Sequence, residues 1–363
     1  MNILYDYQVM MLQKYGGVSR GFCEVASRLR TDYGDSVSFV SEGSQNYYLE
    51  ELFGIKSIPE DRILEKDEIQ DITIKNQNEV LKRCESGKYD LLHSTWYDPY
   101  LYHVRGCKHV VTIHDMIQEI YPLYFANKDL IECKKRLIEI ADLVIAVSKH
   151  TKKDILEVYP DIPQEKIKVV YQGGKMNANY KRCNLVVPEK YLLYVGDRKN
   201  YKNFLRFYLA VEHLMKKHQD IYLICVGGGN FSPFELRMIG ELKNRVFQYN
   251  VTETQLAYLY SHAIEFVFPS EYEGFGIPII EAFSCGCPVA LSDASCFPEI
   301  AEDAAVYFDA NDINDISEKI EQLMIDKELR KSKTEMGIKR ADCFSWENST
   351  EQMHDAYQKV LKI

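Results

Sequence analysis

A strand, a glycine-rich loop and a helix start follow one another in the stretch Ala263-Ile264-Glu265-Phe266-Val267-Phe268-Pro269-Ser270-Glu271-Tyr272-Glu273-Gly274-Phe275-Gly276-Ile277-Pro278. Its first six residues are mostly β-branched and aromatic, which is typical of a buried strand. Pro278 suits a first helical turn, and Gly286, two residues before Pro288, suits the position just past a helix end. The stretch therefore predicts a strand that passes through a short loop directly into a helix.

Two carboxylates flank this helix start, because Glu273 precedes it and Glu281 follows eight positions later. The amides of residues 274–277 would point out of the helix with the positive end of its dipole behind them, an arrangement that favours a diphosphate. One carboxylate could then reach the sugar of a bound nucleotide diphosphate and the other its nucleoside hydroxyls. The alternative is that both glutamates only complement the dipole of a surface helix.

The same alternation of short apolar strands and longer amphipathic segments runs through the whole chain, and it predicts an α/β fold with parallel sheets. Twelve strands are expected, in two sheets of six: 3–7, 37–41, 90–94, 109–114, 143–148 and 167–171, then 191–195, 221–226, 246–249, 264–268, 288–292 and 305–308. We expect an N-terminal domain over residues 1–175, a linker over 176–188 and a C-terminal domain over 189–346. Residues 56–85 are charge-rich, and the sequence leaves open whether they form a long helix or a mobile insertion.

Composition narrows the class of protein. The 363 residues carry a net charge of −10, which argues against a nucleic-acid partner. The ten cysteines are scattered without a Cys-x-x-Cys pair, so we expect reduced thiols and a cytoplasmic location. Neither a signal peptide nor a membrane-spanning helix is expected from the sequence.

The motif Ser-x-x-Glu-Gly-Phe-Gly-Ile-Pro at residues 270–278 resembles that of retaining glycosyltransferases of family 4. The resemblance implies a GT-B architecture, in which two Rossmann-like domains with parallel sheets face each other across a cleft. It implies that Glu273 contacts the donor sugar, that Glu281 holds the ribose, and that a final helix over about 347–363 crosses back to the first domain. The phosphate would be bound at four residues: Gly274, Phe275, Gly276 and Ile277.

Three motifs of the first domain lie at or after the ends of strands. Glycines in the loop Tyr15-Gly16-Gly17 let backbone approach a ligand closely, and the resemblance implies that Gly16 and Gly17 contact the donor phosphate near the acceptor. His114 ends a strand and matches the family histidine that faces the donor sugar. Asp115 is expected to cap the turn that follows. The run His93-Ser94-Thr95-Trp96-Tyr97 offers hydroxyls and aromatic faces to an acceptor.

A cationic loop opens the second domain. Gly196-Asp197-Arg198-Lys199-Asn200-Tyr201-Lys202-Asn203 follows a strand and resembles the family's pair of Arg and Lys, although Tyr201 stands where many members carry an arginine. Negative charge builds on the leaving diphosphate when the glycosidic bond breaks, and fixed cations lower that barrier. Arg198 and Lys202 are the expected cations. Gly227-Gly228-Gly229-Asn230 follows another strand and is expected to turn the chain near the nucleobase.

The resemblance implies a metal-independent hexosyltransferase that moves a hexose or deoxyhexose, such as mannose, onto a glycan or lipid-linked acceptor in cell-surface polysaccharide synthesis. No cofactor or metal is expected, since the chain has no Asp-x-Asp pair. The basic clusters 134–136 and 149–153 could make a peripheral contact with the inner face of the membrane, although the net charge of −10 favours the alternative that they are solvated helix faces. A glycoside hydrolase fits less well, because its two carboxylates flank one glycosidic bond. A nucleotide-sugar epimerase, a phosphorylase and a non-catalytic nucleotide-sugar binding module remain as alternatives.

Overall fold

A computed structural model describes residues 1–56, 58–59, 62–125, 128–176, 183 and 185–362. These residues form two compact units. Unit 1 comprises Met1–Gly173 and Trp346–Ile363, and unit 2 comprises Gly174–Ser345. Each unit contains one six-stranded parallel sheet with helices packed against it, as expected when strands and helices alternate along the chain.

Unit 1 is built on a sheet with the strand order β2-β1-β3-β4-β5-β6. Its strands are β1 (Asn2–Tyr5), β2 (Ser36–Phe39), β3 (Leu91–Ser94), β4 (Lys108–Ile113), β5 (Leu143–Ala146) and β6 (Ile167–Val169). Its helices are α1 (Gln8–Leu12), α2 (Gly17–Asp32), α3 (Tyr47–Phe53), α4 (Lys66–Glu85), α5 (Ile117–Ile120), α6 (Lys128–Ile140) and α7 (Lys149–Val158), together with the later α15 (Trp346–Leu361). Successive β1 residues face opposite sides, because Leu4 packs in one apolar cluster and Ile3 and Tyr5 in another.

Unit 2 has the strand order β12-β11-β10-β7-β8-β9, which is that of a Rossmann fold. Its strands are β7 (Tyr191–Val195), β8 (Tyr222–Val226), β9 (Val246–Tyr249), β10 (Glu265–Phe268), β11 (Val289–Ser292) and β12 (Val306–Phe308). Its helices are α8 (Phe204–Lys217), α9 (Pro233–Ile239), α10 (Glu253–His262), α11 (Ile277–Ser284), α12 (Phe297–Ala301), α13 (Ile313–Ile325) and α14 (Lys327–Ala341). The core beneath this sheet is aromatic and aliphatic, with Phe207 and Leu223 fully buried.

Each of the twelve predicted strands is found in the structure, with ends that differ by up to two residues. The α/β fold class with parallel sheets is therefore confirmed. Within residues 56–85, which the sequence left open, positions 66–85 form the single long helix α4. Of the predicted linker 176–188, positions 177–182 and 184 lie outside the described residues. Across the described ranges, no helix is both long and apolar enough to cross a bilayer.

Candidate active site

The topology of unit 2 brings two predicted motifs to one place. Strand order reverses between β7 and β10, which are neighbours although β8 and β9 separate them in sequence. Open α/β sheets bind ligands beside such a reversal, outside the carboxyl ends of the strands. The loop that follows β7 carries Lys202, and the loop that follows β10 carries Glu273.

Lys202 and Glu273 form an ion pair at this edge. The Lys202 Nζ donates to Glu273 Oε1 over 2.5 Å, and the two side chains are only 19% and 15% exposed. Burial lowers the pKa of Lys202, but the charges and hydrogen bonds of Glu273 and Tyr201 together raise it more, so its pKa lies above that of an ordinary lysine. The site therefore keeps a positive charge at neutral pH, held by a carboxylate that resemblance assigns to the donor sugar.

Further bonds hold the loop that follows β10 to the loop after β7, to α8 and to the loop after β11. The Glu271 amide donates to the Tyr201 carbonyl over 2.7 Å, and the Glu271 carboxylate pairs with Arg206 at 2.6 Å. The Glu273 amide donates to Ser295 Oγ over 3.1 Å. These contacts fix the position of the ion pair. The sequence analysis missed Ser295, since an isolated serine in a turn carries no recognisable signal.

The helix start behaves as the sequence predicts. Gly276 precedes α11 with φ +93°, and no side chain caps the helix start. Pro278 has no N–H and the Ile279 amide donates to the Gly276 carbonyl over 2.9 Å, so the first backbone donor of the helix is the Ile277 amide. At the other end, the amides of Gly286 and Cys287 donate to the carbonyls of Phe283 and Ala282, which is a Schellman motif. The N-terminus of α11 therefore offers a backbone donor beside Glu273.

Glu281 lies in the second turn of α11, and its Oε2 accepts a hydrogen bond from the Tyr260 hydroxyl over 3.4 Å. The side chain is half-buried rather than fully solvated. Tyr260, which the sequence analysis did not single out, thereby orients this carboxylate from α10. Phe275, a predicted phosphate-site residue, has a buried ring that packs edge-on against Phe344. Its side chain therefore belongs to the core, and only its backbone remains as a group that could bind a phosphate.

Arg198 does not join Lys202 and Glu273. Its guanidinium lies against the loop that follows β8, where it donates to the carbonyls of Gly227 and Gly229 at 2.7 and 2.8 Å and pairs with Glu235 at 2.7 Å. The side chain is 3% exposed. The structure thus brings only one of the two predicted cations to Glu273.

In unit 1, Gly16 and Gly17 lie at the N-terminus of α2. Gly16 is the residue before the helix, and a Cβ there would meet Gln13 Oε1 at 2.3 Å. That oxygen accepts from the Ser19 amide over 3.1 Å and so caps the helix. A glycine is therefore required at position 16 as long as Gln13 keeps this capping bond.

His114 follows β4, and its ring lies between two aromatic neighbours, edge-on to Phe22 and stacked with Trp96. Burial lowers the pKa of the imidazole to about 4, so the ring is neutral at pH 7. Its Nε2 is shielded from solvent and has no hydrogen-bond partner among the described residues. Buried polar atoms without a partner are rare in proteins, which makes His114 a notable residue of this unit.

The turn after His114 is held by a buried lysine. Lys134 is 1% exposed, and its Nζ donates to the Asp115 carbonyl, to Gln118 and to Glu119 over 3.1, 2.8 and 2.9 Å. Asp115 caps the turn as expected, since its carboxylate accepts from the amide of Ile117. The expectation that Lys134 belongs to a lipid-facing basic cluster is wrong, because the ammonium is enclosed by its own unit.

The predicted acceptor segment after β3 is mostly interior. His93, Thr95 and Tyr97 are buried, and His93 is bonded on both ring nitrogens, to the hydroxyls of Tyr357 and Thr112. Trp96 alone is half-buried and lies beside His114. Within the residues that the structure describes, no group of three His, Cys, Asp or Glu side chains is placed to hold a metal ion.

Family models match both halves of the chain. Residues 15–173 match the model "Glycosyltransferase Family 4", and residues 176–340 match "Glycosyl transferases group 1". The O-antigen chain mannosyltransferase B of Escherichia coli is 30% identical over 303 residues, which cover 74% of this chain and 79% of that protein. The O-antigen chain mannosyltransferase RfbU of Salmonella typhimurium is 30% identical over 206 residues, 56% of this chain and 57% of that protein.

Solved structures share the fold at low identity. A sucrose-phosphate synthase from Thermosynechococcus elongatus aligns with a TM-score of 0.76 and 20% identity over 99% of this chain and 98% of its own. Anabaena HepE in complex with UDP and glucose aligns with a TM-score of 0.73 and 18% identity over 98% of both chains. At these identities the likeness shows the architecture alone.

Proposed function

The chain belongs to glycosyltransferase family 4 and has the GT-B fold, and from this premise we propose that it transfers a hexose or deoxyhexose from a nucleotide diphosphate to a glycan or lipid-linked acceptor. The contact that carries the proposal is the ion pair of Lys202 and Glu273 beside the N-terminus of α11. It combines a cation and backbone donors for a diphosphate with a carboxylate for a sugar.

The roles in unit 2 follow from charge. As the bond from the sugar to the diphosphate breaks, negative charge grows on the leaving phosphate, and Lys202 together with the first amides of α11 stabilises that charge. Glu273, held by Lys202, orients the sugar hydroxyls. Glu281, held by Tyr260, accepts from the ribose hydroxyls.

Unit 1 is proposed to contribute groups that bind the sugar and the acceptor. Neutral His114, whose Nε2 has no partner among the described residues, is proposed to bind a sugar hydroxyl, and Gly16 and Gly17 at the N-terminus of α2 are proposed to bind the donor phosphate. Retention of the anomeric configuration is part of the proposal, with the acceptor hydroxyl attacking on the face that the phosphate leaves and giving its proton to that phosphate. The expected catalytic role of Arg198 stays a prediction.

The donor and the pathway are proposed from the relatives. Because two relatives at 30% identity are named O-antigen mannosyltransferases, GDP-mannose is the first donor to test and cell-surface polysaccharide the proposed product. A cytoplasmic location is proposed, consistent with ten free cysteines. A peripheral membrane contact would have to use exposed groups such as Lys135, Arg136 and Lys149, since Lys134 is buried.

A nucleotide screen tests the central claim. The melting temperature should rise with at least one of GDP, UDP, ADP and dTDP, since a ligand that binds only the folded state stabilises it by mass action. Turnover of the matching nucleotide sugar should then require an acceptor. The proposal is contradicted if no nucleotide raises the melting temperature.

Three further measurements distinguish the alternative functions. Isomerisation of the donor without acceptor would indicate an epimerase, and phosphate-dependent sugar release a phosphorylase. A wild type that binds nucleotide but turns over none of a panel of acceptors, with binding that survives Glu273→Ala, would indicate a binding module.

Metal independence is tested separately. Because Lys202 and helix amides supply the positive charge, EDTA is expected to leave the initial rate within about twofold of that in its absence. A rate that collapses in EDTA and returns with Mg²⁺ or Mn²⁺ would contradict this part of the proposal.

A further inference from the structure

The guanidinium of Arg198 is held by several hydrogen bonds within unit 2. Besides the bonds to Gly227, Gly229 and Glu235, its Nη2 donates to the carbonyls of Gly228 and Asn230 at 3.3 and 3.1 Å. The guanidinium thus has five acceptors, of which one accepts from Nε, one from Nη1, and three share the two N–H groups of Nη2. The side chain is only 3% exposed, so the guanidinium is directed at its own unit rather than at solvent.

The acceptors belong to one unusual turn. Gly227, Gly228 and Gly229 have φ values of +84°, +68° and +70°, a run of left-handed residues that side chains disfavour. A Cβ on Gly228 would meet Arg198 Nη1 at 2.7 Å. A side chain at position 228 would therefore collide with the guanidinium of Arg198.

The carbonyl directions fix those of the amides. In a planar trans peptide the N–H points opposite to the C=O, so the amides of residues 228–231 point away from the guanidinium. Gly228, Gly229 and Asn230 are exposed. This turn follows β8, which neighbours β7, so it lies at the same sheet edge as the loop that carries Lys202.

Glu235 completes the arrangement from α9. Its carboxylate accepts from Arg198 Nε and from the Ser232 amide, while the Glu235 amide donates to Ser232 Oγ, which forms a capping box at the start of the helix. Phe231 packs under the guanidinium at 4.7 Å. Arg198 thus ties the end of β7, the glycine turn and the start of α9 together.

We propose that Arg198 is a positioning residue, which holds the turn 227–230 so that its outward amides bind the nucleotide of the donor, and that it is not itself a phosphate ligand. The inference rests on the proposed nucleotide-sugar site. The two cations of the loop after β7 then have different roles, since Lys202 contacts the ligand directly and Arg198 acts through the backbone of the turn 227–230.

The decisive variant is Glu235→Gln. Glutamine preserves the capping box but removes the charge that holds Arg198. If Arg198 positions the turn, Glu235→Gln should weaken the affinity for the probe nucleotide, GDP or UDP, by about tenfold. If Arg198 were a phosphate ligand, releasing it from Glu235 would leave the affinity unchanged or increase it. Glu212→Gln, which removes a surface partner of Lys216 on α8, is the matched control and should not change the affinity.

Further variants test whether the planar guanidinium of Arg198 and the glycine turn depend on each other. Arg198→Met removes the guanidinium and should weaken the affinity for the probe nucleotide. Lysine keeps the positive charge but cannot reach four carbonyls and a carboxylate at once, so Arg198→Lys should weaken that affinity as well. Gly228→Ala should lose affinity by itself, yet add little in the Arg198→Met background, because both changes open the same turn. Circular dichroism and melting temperature verify that each variant is folded.

The outcomes are distinguishable. A wild type whose melting temperature rises with GDP or UDP, and whose affinity falls in Glu235→Gln and in Arg198→Lys, supports the inference. Retained affinity in either of those variants, or additive losses for Gly228→Ala and Arg198→Met, overturns it while leaving the proposed function intact. A wild type that binds no nucleotide overturns both.

Discussion

Lys202 and Glu273 depend on each other because both are largely withdrawn from water. Removing one partner of such a pair leaves an uncompensated charge, which costs more than the pair itself contributes. The pair lies at the reversal point of the Rossmann sheet, where open α/β sheets bind ligands, so a change at either residue should affect catalysis as well as stability. Two predictions belong to this scale.

Lys202→Met should lower kcat by about 100-fold or more, since the cation that stabilises the leaving phosphate is lost. Its KM for the donor should change less, because the helix amides still bind the ground state. Initial rates over a range of donor concentrations measure both. Lys190→Met, which removes an exposed ion pair with Asp220 in the same unit, should behave as wild type. An unchanged kcat in Lys202→Met would contradict the assigned role.

His109 should make unit 1 sensitive to acid. Burial lowers the pKa of this imidazole to about 4, whereas in an unfolded chain it is about 6.5. The folded state therefore resists the proton that the unfolded state accepts, and the stabilisation is present above pH 6.5 and is lost as pH falls toward 4. In that window wild type should lose about 1.4 kcal/mol per pH unit relative to His109→Gln.

Urea unfolding at pH 7.5, 6 and 5 measures this difference. His103, which is exposed in the same unit, provides the control, and His103→Gln should keep the wild-type slope. Equal slopes in wild type and His109→Gln would contradict the assignment.

Helix α11 shows how a short element can be specified at both ends. Gly276 enters it with a left-handed backbone, and Gly286 leaves it in the same way through the Schellman motif. A residue with a side chain is disfavoured at either position. The helix start, and with it the amide donors of the candidate site, is therefore fixed by backbone conformation rather than by a capping side chain.

Gly276→Ala should weaken both the fold and nucleotide affinity. Alanine is strained at φ +93°, and its Cβ would meet Ile279 Cδ1 at 2.9 Å, so we expect a loss of roughly 1–3 kcal/mol in unfolding free energy. Gly240→Ala is the matched control, because φ is +51° there and the added Cβ meets nothing within 4 Å. Only Gly276→Ala should also reduce nucleotide binding, as measured by titration calorimetry. Equal affinity in both variants would separate the helix start from the site.

Helix α11 also shows which structural features can be predicted from the sequence. Pro278, Gly286 and the β10 strand follow from local rules, so they were predictable with their bounds. Contacts between distant loops could not be predicted, because no sequence pattern around Arg198 indicates that its side chain bonds to the loop after β8. Lys134 was misjudged for the same reason, since a lysine between charged neighbours gives no sign that the fold encloses it.

At the scale of the molecule, unit 1 is assembled from two separate stretches of chain. Helix α15 returns to it, and the Tyr357 hydroxyl lies 2.5 Å from His93 Nδ1 and 2.9 Å from the Tyr5 hydroxyl, all fully buried. Ser349 Oγ donates to the Tyr171 carbonyl over 2.7 Å. A polar network thus fastens the late helix to the early sheet.

Tyr357→Phe should destabilise unit 1 by about 1–3 kcal/mol, because His93 and Tyr5 each lose a buried partner. Urea or thermal unfolding measures this loss of stability. If the two units unfold separately, a nucleotide that binds unit 2 should not restore the stability of unit 1. Tyr33→Phe, at a 40% exposed position of the same unit, should leave stability unchanged. A Tyr357→Phe protein as stable as wild type would show that the network contributes nothing net.

The return of α15 also orders events during synthesis. All of residues 174–345 must leave the ribosome before Tyr357 becomes available, an interval of roughly 10 to 35 seconds at 5–20 residues per second. Unit 2, one uninterrupted stretch, can close its core in that time. Unit 1 emerges first but finishes last, with the sheet face that α15 covers still open to chaperones and to other nascent chains.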